Sequence, residues 1–203
     1  MEFNLPPRGC YAITSGATTS NTTPESLEFA YILLQVELAV FIGLSYFQIR
    51  EKNLPVRMLY ELVSRASQHT HGSSTRLLVN DRFDVARAAG ADGVHLTSTS
   101  LPPQIVRDVC GPEFVIGVST HSLDEARAAR DGGADFIVFG PVFETESKRA
   151  YGPPQGLDKL GEVAAALPGF PVLAIGGVNL DNYESCLARG ASGFAGISWF
   201  DRE

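Results

Sequence analysis

Three times along the chain an alanine-rich stretch ends in glycine, alanine and a small polar residue, and an apolar run follows at once. The copies are Gly90-Ala91-Asp92 before GVHL, Gly133-Ala134-Asp135 before FIVFG, and Gly190-Ala191-Ser192 before GFAGIS. Glycine can end a helix in a left-handed turn without steric cost, and a short apolar run behind it reads as a buried strand. Each triplet is therefore the αβ half of a repeating βα unit. Five more apolar runs fill the intervals: Tyr11 to Thr14, Tyr46 to Arg50, Arg76 to Val79, Val115 to Val118 and Val172 to Ile175. Helical patterns lie between them: VRMLYELVSRAS, DVARAAG, LPPQIVRDVCG, SLDEARAARDGG, LDKLGEVAAAL and LDNYESCLARG, with Ser122, and Asn179 or Asp181, as N-cap candidates. Eight strands in 203 residues predict an α/β fold of the (βα)8 TIM-barrel type, a single domain over 1–203, with an open doubly wound sheet as the competing arrangement. Only Trp199-Phe-Asp-Arg-Glu203 follow the eighth run, so the eighth helix is expected to be reduced or missing, its place covered by segment 25–38 or a partner subunit in a homodimer.

Composition narrows the function. An apolar fraction of 44% with 19% charged residues is that of a folded globular protein. A net charge of −7 with no lysine- or arginine-rich block excludes a nucleic-acid surface, so any anion site must be local. Cys10, Cys110 and Cys186 are far apart and in no metal spacing, as expected of reduced thiols in the cytoplasm. The stretch FAYILLQVELAVFIGLSYF, Phe29 to Phe47, holds Gln35 and Glu37 and lacks basic flanks. It reads as a buried helix running into a strand rather than a membrane span.

In a parallel barrel the active site lies at the carboxyl ends of the strands. The second strand ends Gln48-Ile49-Arg50-Glu51-Lys52, where alternation turns Gln48, Arg50 and Lys52 to one side and presents two cations to one anion. The third ends Asn80-Asp81, a hard-oxygen pair suited to Mg²⁺ or to orienting a substrate, or else the N-cap of DVARAAG, a role for which Asp84 competes. The fifth ends Ser119-Thr120-His121-Ser122, with His121 either a proton carrier or a holder of loop geometry. Gly176-Gly177 after the seventh strand, and Ile197-Ser198 after the eighth, occupy the barrel positions where backbone N–H groups often cradle a phosphate. The long loop FGPVFETESKRAYGPPQG after the sixth strand adds Thr145, Ser147 and Lys148 to that face, suiting a second anionic group. Two phosphate-binding regions and a carboxylate point to phosphorylated substrates.

The motifs QIREKNL, LLVNDRFDVARAAGADGVHL, IGVSTHSLDEA, FIVFGPVFETESK and AIGGVNLDN, in that order, resemble the thiamine-phosphate synthase and TenI superfamily over roughly Tyr11 to Ser198. The resemblance implies small phosphorylated pyrimidine and thiazole substrates. In the synthase a hydroxymethylpyrimidine pyrophosphate loses pyrophosphate with Mg²⁺ assistance and the thiazole-phosphate nitrogen captures the methylene cation. By that similarity Gln48, Arg50, Lys52, Asn80, Ser119, Thr145, Ser147 and Lys148 would hold the pyrimidine pyrophosphate, with Lys148, Ser119 and His121 as the catalytic set. Asp81 would bind Mg²⁺, and Gly177, Ile197 and Ser198 the thiazole phosphate. The chain departs from the synthase pattern at GVHLTSTSLP, where Ser100 replaces a second metal-binding aspartate, and at Glu144 and Ser147, where proline and threonine are usual. A thiazole tautomerase using His121 as its base, or a non-catalytic barrel that binds thiamine precursors, are the alternatives the resemblance leaves open.

Overall fold

The computed structural model describes residues 9–144 and 153–197. Strands and helices alternate: β1 (Cys10–Ile13), α1 (Leu27–Ile42), β2 (Tyr46–Ile49), α2 (Val56–Thr70), β3 (Arg76–Asn80), α3 (Phe83–Ala88), β4 (Gly93–Leu96), α4 (Pro103–Cys110), β5 (Val115–Thr120), α5 (Leu123–Asp131), β6 (Phe136–Phe139), α6 (Gly156–Ala166), β7 (Val172–Ala174), α7 (Tyr183–Ala188) and β8 (Gly193–Gly196). The strands form a closed parallel barrel in sequence order, which excludes the open doubly wound sheet. Among the described residues the chain divides into two compact units, one running to His95 and including Ile197, the other Leu96–Gly196. The stretch where an eighth helix would follow, 198–203, lies outside the described residues.

The triplets do what their chemistry requires. Gly90, Gly133 and Gly190 all sit at φ between 77° and 91°, a left-handed conformation that strains any side-chain-bearing residue. The alanine is buried in each copy, and the next residue's N–H donates back to a strand carbonyl: Asp92 to Leu77 at 2.9 Å, Asp135 to Ile116 at 2.8 Å, Ser192 to Val172 at 2.8 Å. Asp92 and Asp135 add a second tie, their carboxylates accepting from the N–H of Leu77 (2.8 Å) and of Ile116 (2.7 Å). The triplet thus stops the helix, turns the chain and starts the next strand on register.

In the first unit, Ile13 pairs with Gln48, Gln48 with Leu78, and Asn80 with His95. Paired residues in a parallel ladder share a face, and Tyr11 and His95, on non-adjacent strands, have ring centroids 5.6 Å apart. Tyr11, Gln48, Asn80 and His95 therefore line the barrel's inner face. The alternate row, Phe47, Ile49, Leu77, Val79 and Val94, is almost solvent-free under the helices, each such side chain worth about 1.5–3 kcal/mol in burial. In the second unit, Phe194 stacks on Tyr183 of α7 with centroids 5.1 Å apart, marking Thr120, Phe139 and Ala174 as the helix-facing row. Ser119 and Val138, one residue out of phase, face inward.

Two expectations change. Helix α7 begins at Tyr183 with Asn182 as its N-cap, and Asn179 and Asp181 lie in the preceding turn, where the Asn179 N–H donates to Asn182 Oδ1 at 2.9 Å. Helix α1, expected to be buried, is apolar on both faces: Phe29, Ile32, Val36 and Ala39 face the core, while Leu27, Tyr31, Leu34, Leu38 and Phe41 face outward.

Candidate active site

At the carboxyl end of β2, Gln48 is buried and its Nε2 has no hydrogen-bond partner among the described residues. A buried amide donor left so costs about 1–3 kcal/mol, a cost a bound acceptor would remove. Arg50 is half-buried two residues on, its N–H donating to Thr14 Oγ1 at 2.8 Å. The strand stops at Ile49, so the alternation expected to carry Lys52 to the same side does not reach it; Lys52 is exposed in the following turn.

Glu51, between Arg50 and Lys52, is 4% exposed. Its carboxylate accepts from the Gly16 N–H (3.2 Å), the Thr18 N–H (3.0 Å) and the Thr18 hydroxyl (2.7 Å). These bonds fix the loop after β1 beside Arg50. Gly16, at φ 83°, has the Arg50 carbonyl 3.5 Å from where a Cβ would stand. His95, hidden inside the apolar GVHL run, is the second residue missed. Burial, and then the Arg50 charge, push its pKa down to about 3, so the imidazole is neutral. Buried and neutral, His95 lies within reach of the Arg50 charge at this end of the barrel.

Asn80 and Asp81 are not the helix cap: α3 starts after Arg82, which makes no side-chain cap bond, and Asp84 is engaged by Arg82 at 2.6 and 2.8 Å. Asp81 sits at φ 62°, a left-handed conformation aspartate tolerates better than most residues, its N–H donating to the His95 carbonyl at 2.8 Å. Its exposed carboxylate has no hydrogen-bond partner among the described residues. No cluster of three or more His, Cys, Asp or Glu that could hold a metal occurs among them. This one carboxylate, with the Arg82 charge close by, still fits Mg²⁺, which commonly takes one or two carboxylates and completes its shell with water and substrate phosphate oxygens.

In the second unit, Ser100 is occupied: its Oγ accepts from the Thr97 N–H at 2.8 Å and lies 3.2 Å from the Thr97 hydroxyl. Ser119 faces inward at the end of β5. His121 is exposed just beyond it, its N–H donating to Glu125 Oε2 at 2.6 Å. Nδ1 of the ring is 2.5 Å from the Gly140 carbonyl, which can only accept, so Nδ1 is the donor of this bond. Ser122 caps α5 as expected, accepting from the Glu125 N–H at 3.2 Å. Gly176 and Gly177 stand at φ 91° and 67°, and a Cβ on either would lie 2.5 Å from Pro141 or 2.7 Å from Phe143. The pair lets the loop after β6 lie against the turn after β7, where the Val142 N–H reaches the Ile175 carbonyl (2.8 Å) and the Phe143 N–H that of Gly176 (2.9 Å). Ile197 is exposed directly after β8. Thr145, Ser147, Lys148 and Ser198 lie outside the described residues.

Residues 10–200 match the family profile described as thiamine monophosphate synthase. The chain belongs to the thiamine monophosphate synthase family. It is 46% identical over 167 residues to a putative thiamine-phosphate synthase of Geobacter sulfurreducens, covering 82% of this chain and 78% of that one. It is 42% identical over 156 residues to the thiamine-phosphate synthase of Moorella thermoacetica, covering 77% and 74%. The structure of thiamine phosphate pyrophosphorylase from Pyrococcus furiosus superposes with a TM-score of 0.75 at 34% identity, over 93% of this chain and 85% of that one. Within the synthase family's frame, the described residues bring together Gln48, Arg50, Asn80, Asp81 and the unforeseen His95 at the ends of β2 to β4.

Proposed function

We propose that the protein is a thiamine-phosphate synthase, a transferase of thiamine biosynthesis. It joins a hydroxymethylpyrimidine pyrophosphate to a thiazole phosphate and releases pyrophosphate. The observation that carries the reading is the polar row at the ends of β2 and β3: an unpartnered buried amide at Gln48, a guanidinium at Arg50, and a carboxylate at Asp81 that caps no helix. A tautomerase that only moves a proton has no use for this combination, whereas loss of pyrophosphate needs charge held against the leaving group.

Arg50 supplies fixed positive charge toward the leaving oxygens, and Gln48 and Asn80 orient the pyrimidine by hydrogen bonds that a buried site makes strong. Neutral His95 beneath them donates or accepts without adding charge. Asp81, with pyrophosphate oxygens of the substrate, is the residue that would hold Mg²⁺. When bound, the ion neutralises charge on the departing pyrophosphate. Among the described residues Asp81 is the carboxylate offered, and substrate oxygens and water would complete the ion's shell. Cys10, Cys110 and Cys186 form no disulfide among the described residues.

Titrating Mg²⁺ against turnover tests the assignment. Asp81→Asn is expected to raise the Mg²⁺ requirement at least tenfold, and Ser100→Asp to lower it, since each changes the count of hard anionic ligands. Unchanged titration curves for Asp81→Asn would show that the metal is held elsewhere.

A further inference from the structure

Helix α1 carries on its outer face Leu27, Tyr31, Leu34, Leu38 and Phe41, exposed by 85, 42, 58, 39 and 85%. Their spacing is four, three, four, three, the repeat of a helix-pairing seam, and it runs opposite the buried row of Phe29, Ile32, Val36 and Ala39. A helix apolar all round is normally covered on both sides. At those exposures the five side chains present roughly 500 Å² of apolar surface, the upper end for one patch on a monomer.

We propose that this seam is a homodimer interface in which α1 of one copy packs antiparallel on α1 of a second copy across a two-fold axis. A 4-3 seam without a charged residue accepts another such seam, and a two-fold makes the two surfaces the same patch. Two copies would bury on the order of 1,000 Å² from these side chains alone, the lower bound for a specific interface, before any flanking contact. The antiparallel sense opposes the two helix dipoles and keeps Glu28 of one copy apart from Glu28 of the other. A membrane surface is the poorer occupant, because α1 has no basic residue and its borders carry Glu28 and Glu37.

Sedimentation equilibrium of the full chain reads the state directly. Wild type is expected as a dimer at micromolar concentration. Leu34→Glu and Phe41→Glu should each be monomers with an unchanged circular dichroism spectrum, and Ile105→Glu, at an exposed site on α4, should remain a dimer. Should a seam variant fold poorly, Leu34→Cys in a Cys110→Ser background gives the second reading: a short bis-maleimide should link it into a covalent dimer. A monomeric wild type overturns the proposal and leaves the face to another part of a longer chain or another protein. A Leu34→Glu dimer as tight as wild type, or no cross-link at Leu34→Cys, overturns it as well.

Discussion

Replacing Glu51 by glutamine changes one atom of a buried side chain and should be felt by the whole loop after β1. Oε2 accepts twice from Thr18 and Oε1 once from Gly16. A glutamine amide has one accepting oxygen, so in either orientation the N–H of Gly16 or of Thr18 faces an NH₂ group. With the side chain 4% exposed, water cannot take the lost place. Leaving one such donor unmet costs about 1–3 kcal/mol, which lowers the melting temperature of a chain of this size by roughly 2–12 °C. Glu51→Ala strands both amides, for about 2–6 kcal/mol. Urea unfolding followed by circular dichroism measures both, as a shift in midpoint at constant slope. The glutamine variant should also raise KM for the pyrimidine substrate more than it lowers kcat, since Arg50 loses the loop packed beside it. A Glu51→Gln protein within about 0.5 kcal/mol of wild type would refute the reasoning, that being the range of an ordinary surface change.

His95 gives a pH-dependent test. Its folded pKa of about 3 lies below the ordinary 6.5, so between those values the unfolded chain binds the extra proton. Stability should fall as pH drops below 6.5, by up to about 1.4 kcal/mol per unit, and His95→Gln should flatten that part of the urea-midpoint profile; an equal slope in both proteins would contradict the assignment. His121→Ala should lower synthase turnover by less than about tenfold, because its ring holds the Gly140 carbonyl and cation capture by the thiazole nitrogen needs no base. A steady-state loss of several hundredfold would mark it as a general base.

The barrel was legible because its punctuation is chemical. Only glycine ends three helices at positive φ without strain, and the polar residue behind it has a strand carbonyl to reach. Alternation gives the inward placement of Gln48 and Ser119, and it stops short of Lys52 because β2 ends at Ile49. Glu51 was hidden because a buried carboxylate reads like an exposed one until its three donors are seen, and they come from residues 33 and 35 positions away. His95 could have been found: a lone histidine in a fully apolar strand must be neutral or paired. The spacing of the Gly176-Gly177 pair suits phosphate approach, and the structure adds a packing demand from Pro141 and Phe143 that sequence spacing cannot display. The outward seam on α1 was present in the residue spacing but submerged in a helix apolar on every side.

The most direct measurement supplies the purified protein, in parallel, with hydroxymethylpyrimidine pyrophosphate plus thiazole phosphate, and with the non-aromatic thiazole carboxylate phosphate alone, both with Mg²⁺. Thiamine phosphate and pyrophosphate should appear in equal amounts in the first reaction, and no aromatised thiazole should form in the second. Aromatisation in the second reaction with no thiamine phosphate in the first would contradict the synthase account and assign the barrel to proton-transfer chemistry.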